Sequence, residues 1–233
     1  MKLARRHFRV IFIHMNTEAP KRVYRQSARA AAAEATGGRI LDAFAERLRE
    51  RWFDEIRLED VARDAGVTMQ TVIRRFGSKE GLLDAMHERL GAEIRDRRSV
   101  EPGDARGAVR SIVEDYERTG ELIMRTLAQE DRYPAIRAMT DIGRAMHREW
   151  MARAFGPWLE PMETDDRRRA TDALVVAGDL YAWKLVRRDM QRPIAEYQAL
   201  VEKMCAAAVG VPRGKLFATP ASGDVTWTRL ERA

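Results

Sequence analysis

Apolar positions along the chain recur mostly at spacings of three and four, the period of helices that pack by one face. Ile40, Leu41, Phe44, Leu48 and Trp52 follow this rule with charged residues between them, which predicts a helix from about Arg39 to Trp52. Two short helices should follow. Leu58, Val61, Ala62 and Ala65 share one face, and Gly66 stands where a left-handed residue closes a helix without a Cβ clash. Val67 then points inward, and Thr68 is a good N-cap for a helix from Met69 to Phe76. Ser78 is placed to cap a fourth helix, "EGLLDAMHERL". Phe44, Leu48, Trp52, Phe53, Ile56, Leu58, Val61, Val72 and Phe76 are the expected core of this unit.

The periodicity breaks at "RDRRSVEPGD", and Pro102-Gly103 marks a boundary near residue 100. It returns with Val109, Ile112, Val113, Tyr116, Leu122, Ile123 and Leu127, where Thr119-Gly120 reads as a split into two helices. Pro134 suits the first turn of a helix that carries Ile136, Met139, Ile142, Met146, Trp150 and Phe155 to its end at Gly156-Pro157. Thr164 with Asp165 and Asp166 opens a long helix to about Arg188, and Pro193 opens a last one to about Val209. From Pro212 onward the Gly, Pro and Ser content predicts a loose tail. At the other end, Met1 to Ala35 reads as a mobile arm that turns helical after Ser27, and Gly37-Gly38 reads as a break or bend before the next helix. The fold class is therefore all-α. The division is an arm (1–35), a three-helix unit with its following helix (36–94), a second helical domain (103–210) and a tail (211–233).

Two short helices joined by a tight glycine turn form a helix-turn-helix, whose second helix is slim enough for the major groove of DNA. The residues Val61-Ala62, Ala65-Gly66-Val67-Thr68, Thr71-Val72-Ile73, Arg75-Phe76 and Lys79-Glu80-Gly81-Leu82 resemble the DNA-binding domain of the TetR family of transcriptional regulators. Two positions depart from that family's pattern. Ile73 replaces the tyrosine that usually contacts a backbone phosphate, and Arg57 stands where a threonine normally caps the second helix. The resemblance covers Arg39 to Leu90.

The candidate DNA contacts lie on the second helix and just beyond it. Thr68, Gln70 and Thr71 sit at its N-terminus, where side chains reach bases or phosphate. Gln70 suits the paired donor and acceptor of adenine. Arg74, four residues on, suits guanine or a phosphate, while Arg75 lies along the backbone and Lys79 offers a phosphate contact. Charge refines this picture. The chain has 233 residues and a net +6, but residues 1–35 alone carry +6 while residues 36–94 carry −2. Attraction to phosphate must therefore come from where the charges sit, or from the basic arm, which could follow the DNA backbone.

The resemblance also implies a homodimer, a palindromic double-stranded DNA operator and a small-molecule effector. Leu174, Gly178, Tyr181, Leu185, Tyr197, Leu200, Val201 and Met204 are the dimerisation candidates, because two such helix pairs would make a four-helix bundle. Tyr116, Met124, Met139, Met146, Trp150 and Trp183 are the candidates for lining an effector pocket, although a filled core would account for the same residues. The function implied is a repressor released from its operator by that effector.

Other classes find little support. No phosphate loop, nucleophile elbow or cysteine cluster is present, and His7, His14, His87 and His147 are far apart, so no enzyme activity, cofactor or metal is expected. The single cysteine, Cys205, reads as a small buried residue and suits a reducing cytoplasm. No apolar run approaches the ~18 residues that cross a bilayer. The alternative that remains is a helical small-molecule or protein-binding module whose helix-turn-helix no longer reads sequence.

Overall fold

The computed structural model describes residues 19–218, and every regular element among them is helical. The order is α1 (Ala19–Glu50), a 3₁₀ turn (Phe53–Glu55), α2 (Leu58–Asp64), α3 (Met69–Phe76), α4 (Lys79–Arg97), α5 (Ala105–Leu127), α6 (Pro134–Ala154), α7 (Gly156–Leu159), α8 (Thr164–Ala177), α9 (Leu180–Trp183), a π-helical segment (Lys184–Asp189), α10 (Ile194–Ala208) and α11 (Arg213–Leu216). No helix of the described residues is long and apolar enough to cross a membrane.

Two cores form. The first joins α1 to α4 around Phe44, Leu48, Phe53, Val61, Val72, Leu82 and Met86. Leu122 of α5 and Ile136 of α6 complete it from the other half of the chain. The second packs α5, α6, α8, α9 and α10 around Ile112, Tyr116, Phe155, Leu174, Trp183, Tyr197 and Val201. Cys205 is fully buried there, and burial pushes its thiol up to about 12.

Several boundaries differ from those expected. Helix α1 begins at Ala19 and passes unbroken through Ser27 and Gly37-Gly38. Gly37 is buried because Arg75 lies on it: a Cβ there would stand 2.4 Å from the guanidinium. The carbonyl of Gly38 accepts from Arg89 at 3.2 Å. Helix α5 likewise runs straight through Thr119-Gly120, since Gly120 makes room for the Trp183 ring and Thr119 bonds back to the Asp115 carbonyl. Conversely, the expected long helix to Arg188 stops at Ala177. Asp179 starts a new turn by accepting from the Tyr181 amide, and the chain then widens so that Met190 N–H donates to Leu185 O, five residues back. The tail is ordered at its start, where Leu216 and Phe217 are buried; the rest of it, and residues 1–18 of the arm, lie outside the described residues. Trp52 does not join the first core. Its ring lies under the guanidinium groups of Arg125 (4.7 Å) and Arg132 (5.4 Å).

Candidate nucleic-acid interface and internal cavity

Helices α2 and α3 are set by their turns. Gly66 at φ 67° and Gly77 at φ 77° close α2 and α3, each in the left-handed range that penalises a Cβ. Thr68 caps α3, its hydroxyl accepting from the Thr71 amide at 3.3 Å and lying 3.0 Å from the Thr71 hydroxyl. Helix α2 has no side-chain cap at Arg57, as its sequence suggested; Glu59 and Asp60 in its first turn face the positive end of its dipole instead.

Val72 anchors α3 inward at 1% exposure, and the opposite face is open to solvent. That face presents Gln70, Arg74 and Arg75 together with Met69 and Ile73, which are 38% and 41% exposed. Gln70 and Arg74 make no side-chain hydrogen bond or ion pair among the described residues. The Arg75 guanidinium is placed between Gly37 of α1 and the Phe76 ring, 5.8 Å from its centroid. Lys79 is engaged: its ammonium donates to the Asp54 and Ile56 carbonyls, both at 3.2 Å, and covers the Phe53 ring at 4.8 Å.

Three acids of this region are paired away from α3. Asp60 and Asp64 pair with Arg47, Asp60 also with Arg63, and Asp42 with Arg89, all on α1, α2 or α4. Neighbouring Arg63 holds the Asp60 carboxyl below the usual carboxylate range. Helix α3 itself carries two arginines and no acid, so its open face is cationic although residues 36–94 are net acidic.

Helices α4, α5 and α6, with Val175 of α8 and Leu180 and Tyr181 of α9, line an open-sided cavity of about 740 Å³. That volume falls in the range of small-molecule sites, roughly 300–1,000 Å³. Of the candidate pocket residues, Tyr116, Met139, Met146 and Trp150 lie on its wall. Met124 and Trp183 do not: Met124 packs on the second core, and Trp183 is fully buried, its indole N–H donating to Glu117 at 2.8 Å. The sequence reading missed the α4 wall, Met86, Leu90 and Ile94, and the polar members Arg98 and His147. Leu90 and Ile94 continue α4's apolar stripe beyond what a three-helix unit needs, and that surplus was the available signal.

His147 is held neutral. Burial lowers its pKa to about 4, with nearby Arg98 acting in the same direction. Its Nε2 faces the Val175 carbonyl at 3.4 Å, its ring stacks on Trp150, and its buried Nδ1 has no partner among the described residues. Arg98, only 6% exposed, donates from Nε to Asp115 Oδ2 at 2.8 Å. Its guanidinium lies over the rings of Tyr116 (4.9 Å) and Trp150 (5.6 Å).

The dimerisation candidates divide. Leu174, Gly178, Tyr197 and Val201 are buried in their own core, and Met204 packs against it; α8 and α10 meet each other, and Gly178 lies against Ile112 and Met151. Tyr181, Leu185 and Leu200 stay exposed and join Val176, Met190 and Ile194 in an outward apolar set.

Residues 40–86 match the tetR family of bacterial regulatory proteins. Over 82 residues the chain is 38% identical to the HTH-type transcriptional regulator AlkX of Mycobacterium tuberculosis, a match covering 34% of this chain and 37% of that protein. The fold is similar to that of a tetR-family transcriptional regulator from Streptomyces coelicolor, with a TM-score of 0.58 and 18% identity over 79% of this chain and 87% of that one. A TetR regulator from Rhodococcus sp. RHA1 gives a TM-score of 0.47 at 19% identity, covering 76% and 97% of the two chains.

Proposed function

We propose, from the match of residues 40–86 to the tetR family of bacterial regulatory proteins, that the chain is a member of that family and regulates transcription as a two-fold dimer. In this reading it is a repressor that leaves a palindromic operator when a small molecule fills the cavity. The open, cationic and acid-free face of α3 carries the reading. Gln70 reads adenine, and Arg74 takes guanine or a phosphate. Thr68 and Thr71 serve the nearest phosphate, and exposed Ile73 can meet a thymine methyl where relatives place a tyrosine. Arg75, steered by Gly37 and Phe76, follows the backbone. Lys79 spends two of its three N–H donors on carbonyls and keeps one for phosphate.

The exposed set Val176, Tyr181, Leu185, Met190, Ile194 and Leu200 supports a second copy as the partner of α8 and α10. Helix α4 offers the coupling, since it seats α3 at one end and walls the cavity near the other. Selection from random duplexes tests the whole reading. Enrichment of a palindrome supports it, whereas failure to enrich any sequence leaves only the binding-module alternative. Sedimentation as a monomer at micromolar protein would remove the dimer.

A further inference from the structure

The geometry points to an effector with an apolar body and a single anionic head, a carboxylate being the simplest, received by Arg98 at the buried end of the cavity. The inference rests on the cavity being the effector site. Arg98 is the buried cation of the lining, and its charge is only partly balanced. Asp115, with no exposed side-chain surface, serves two arginines: Arg97 holds Oδ1 at 2.7 Å and Arg98 holds Oδ2 at 2.7 Å. Arg97 reaches Glu93 as well, at 3.5 Å, but that carboxylate is half exposed and its field is weakened by water. Nε and Nη2 of Arg98 are taken by Asp115, and beyond that carboxylate its guanidinium has only the uncharged Tyr116 hydroxyl as an acceptor nearby. A carboxylate would supply a charged acceptor and the missing negative charge together.

The rest of the lining favours the same sign. Arg144 is neutralised by Glu130 and Arg148 by Asp172, while Arg95 and Arg153 have no ion pair among the described residues. Against them stand Glu149 at the rim and Asp179, which burial biases toward its neutral form. A cationic ligand would need the aromatic faces of Tyr116 and Trp150, and Arg98 already occupies them. The remaining wall, with Met86, Leu90, Leu122 and Met139, is apolar and suits a hydrocarbon body.

Isothermal titration of the full chain with decanoate, decanol and decyltrimethylammonium, below micelle formation, separates the possibilities. Decanoate should bind one per chain and roughly tenfold to a hundredfold tighter than decanol, the worth of a charge-assisted hydrogen bond to a buried guanidinium. The cation should bind weakest. In Arg98→Met, decanoate should fall to the level of decanol while decanol is little changed. If removing Arg98 prevents folding, Arg98→Lys keeps the charge and should retain a reduced preference for decanoate. Equal or tighter binding of decanol, or decanoate binding unchanged in Arg98→Met, overturns the anionic head and leaves the cavity reading standing. Failure of all three probes to bind overturns the cavity reading itself.

Discussion

Gly120 and Gly143 both lie inside helices, and the same substitution should move stability in opposite directions at the two sites. Alanine gains roughly 0.5–1 kcal/mol over glycine in a helix interior, because glycine loses more chain entropy on folding. Nothing lies within 4 Å of a Cβ added at Gly143, so Gly143→Ala keeps that gain. At Gly120 the new methyl would stand 2.5, 2.6 and 2.8 Å from three carbons of the Trp183 ring. Trp183 is fully buried with its N–H committed to Glu117, so the ring cannot retreat without losing that bond. Overpacking costs about 1–3 kcal/mol. Three colliding atoms put this case near the top of that range, and the propensity gain reduces the net loss to about 2 kcal/mol. For a chain this long, 1 kcal/mol moves Tm by about 2–4 °C. Gly120→Ala should therefore melt about 4–8 °C lower and Gly143→Ala about 1–4 °C higher, followed by circular dichroism. Trp183→Leu combined with Gly120→Ala should cost less than the two separate losses added, because the collision disappears. An unchanged or raised Tm for Gly120→Ala alone would refute the close approach of Trp183 to α5, and with it the reason the helix continues there.

Gln129, fully buried, accepts from the Phe53 amide at 2.7 Å, so Gln129→Met should orphan that N–H and cost about 1–3 kcal/mol, read as a lower urea midpoint at constant slope; an unmoved midpoint would mean the amide finds another acceptor. His147 has a pKa of about 4 in the folded chain against an ordinary 6.5, so the unfolded chain takes up its proton first as pH falls. Its contribution is complete above about pH 6.5 and is lost as pH drops toward 4, and stability curves of wild type and His147→Gln should converge over that window; parallel curves would contradict it. Gln70→Ala should change base preference, whereas Lys79→Ala should weaken all duplexes alike and also lower the urea midpoint, since two carbonyls lose their donor. Equal losses on operator and random DNA for both variants would refute the assignments. Deleting residues 1–26 removes Lys2, Arg5, Arg6, Arg9, Lys21, Arg22 and Arg25, and should shallow the salt dependence of DNA binding by about 0.9 in slope for each phosphate that the arm no longer neutralises; an unchanged slope would dispose of the arm.

The helix-turn-helix was legible because its signals are local. A Gly at a positive φ, a Thr that caps and an apolar residue every three or four positions each act within a few residues of themselves. Two of the misreadings share one cause. Gly37-Gly38 and Thr119-Gly120 look like helix breaks, yet Gly37 and Gly120 are spaces for a distant side chain, Arg75 in one case and Trp183 in the other. Nothing near them in sequence announces those partners. The same limit governs the cavity and the dimer candidates: periodicity says that Leu174 or Tyr197 faces something, but whether that is its own subunit depends on how α8 meets α10. Arg98 was hidden for another reason, since a charged run ahead of Pro102-Gly103 resembles a linker and gives no sign that one of its arginines turns inward to Asp115.

The boundary near residue 100 marks where the chain turns rather than where one core ends and another begins. Leu122 and Ile136, both beyond it, are buried among the side chains of α1 to α4. Phe53, at the heart of that cluster, stacks edgewise on Tyr133 with centroids 5.6 Å apart and bonds Gln129 through its amide. Helix α4 runs the other way, from Leu82, Leu83 and Met86 in the first core to Leu90 and Ile94 on the cavity wall. At 1.5 Å per residue its 19 residues extend about 28 Å. A close-packed interior does not yield smoothly but exchanges one packing for another. On the proposed reading, a ligand pressing on Leu90 and Ile94 would act on a stiff rod whose far end seats α3, while Phe53, Tyr133 and Gln129 hold the neighbouring joint. Coupling between cavity and DNA then requires only that the ligand favour a packing in which the two α3 helices of a dimer no longer match the spacing of the groove.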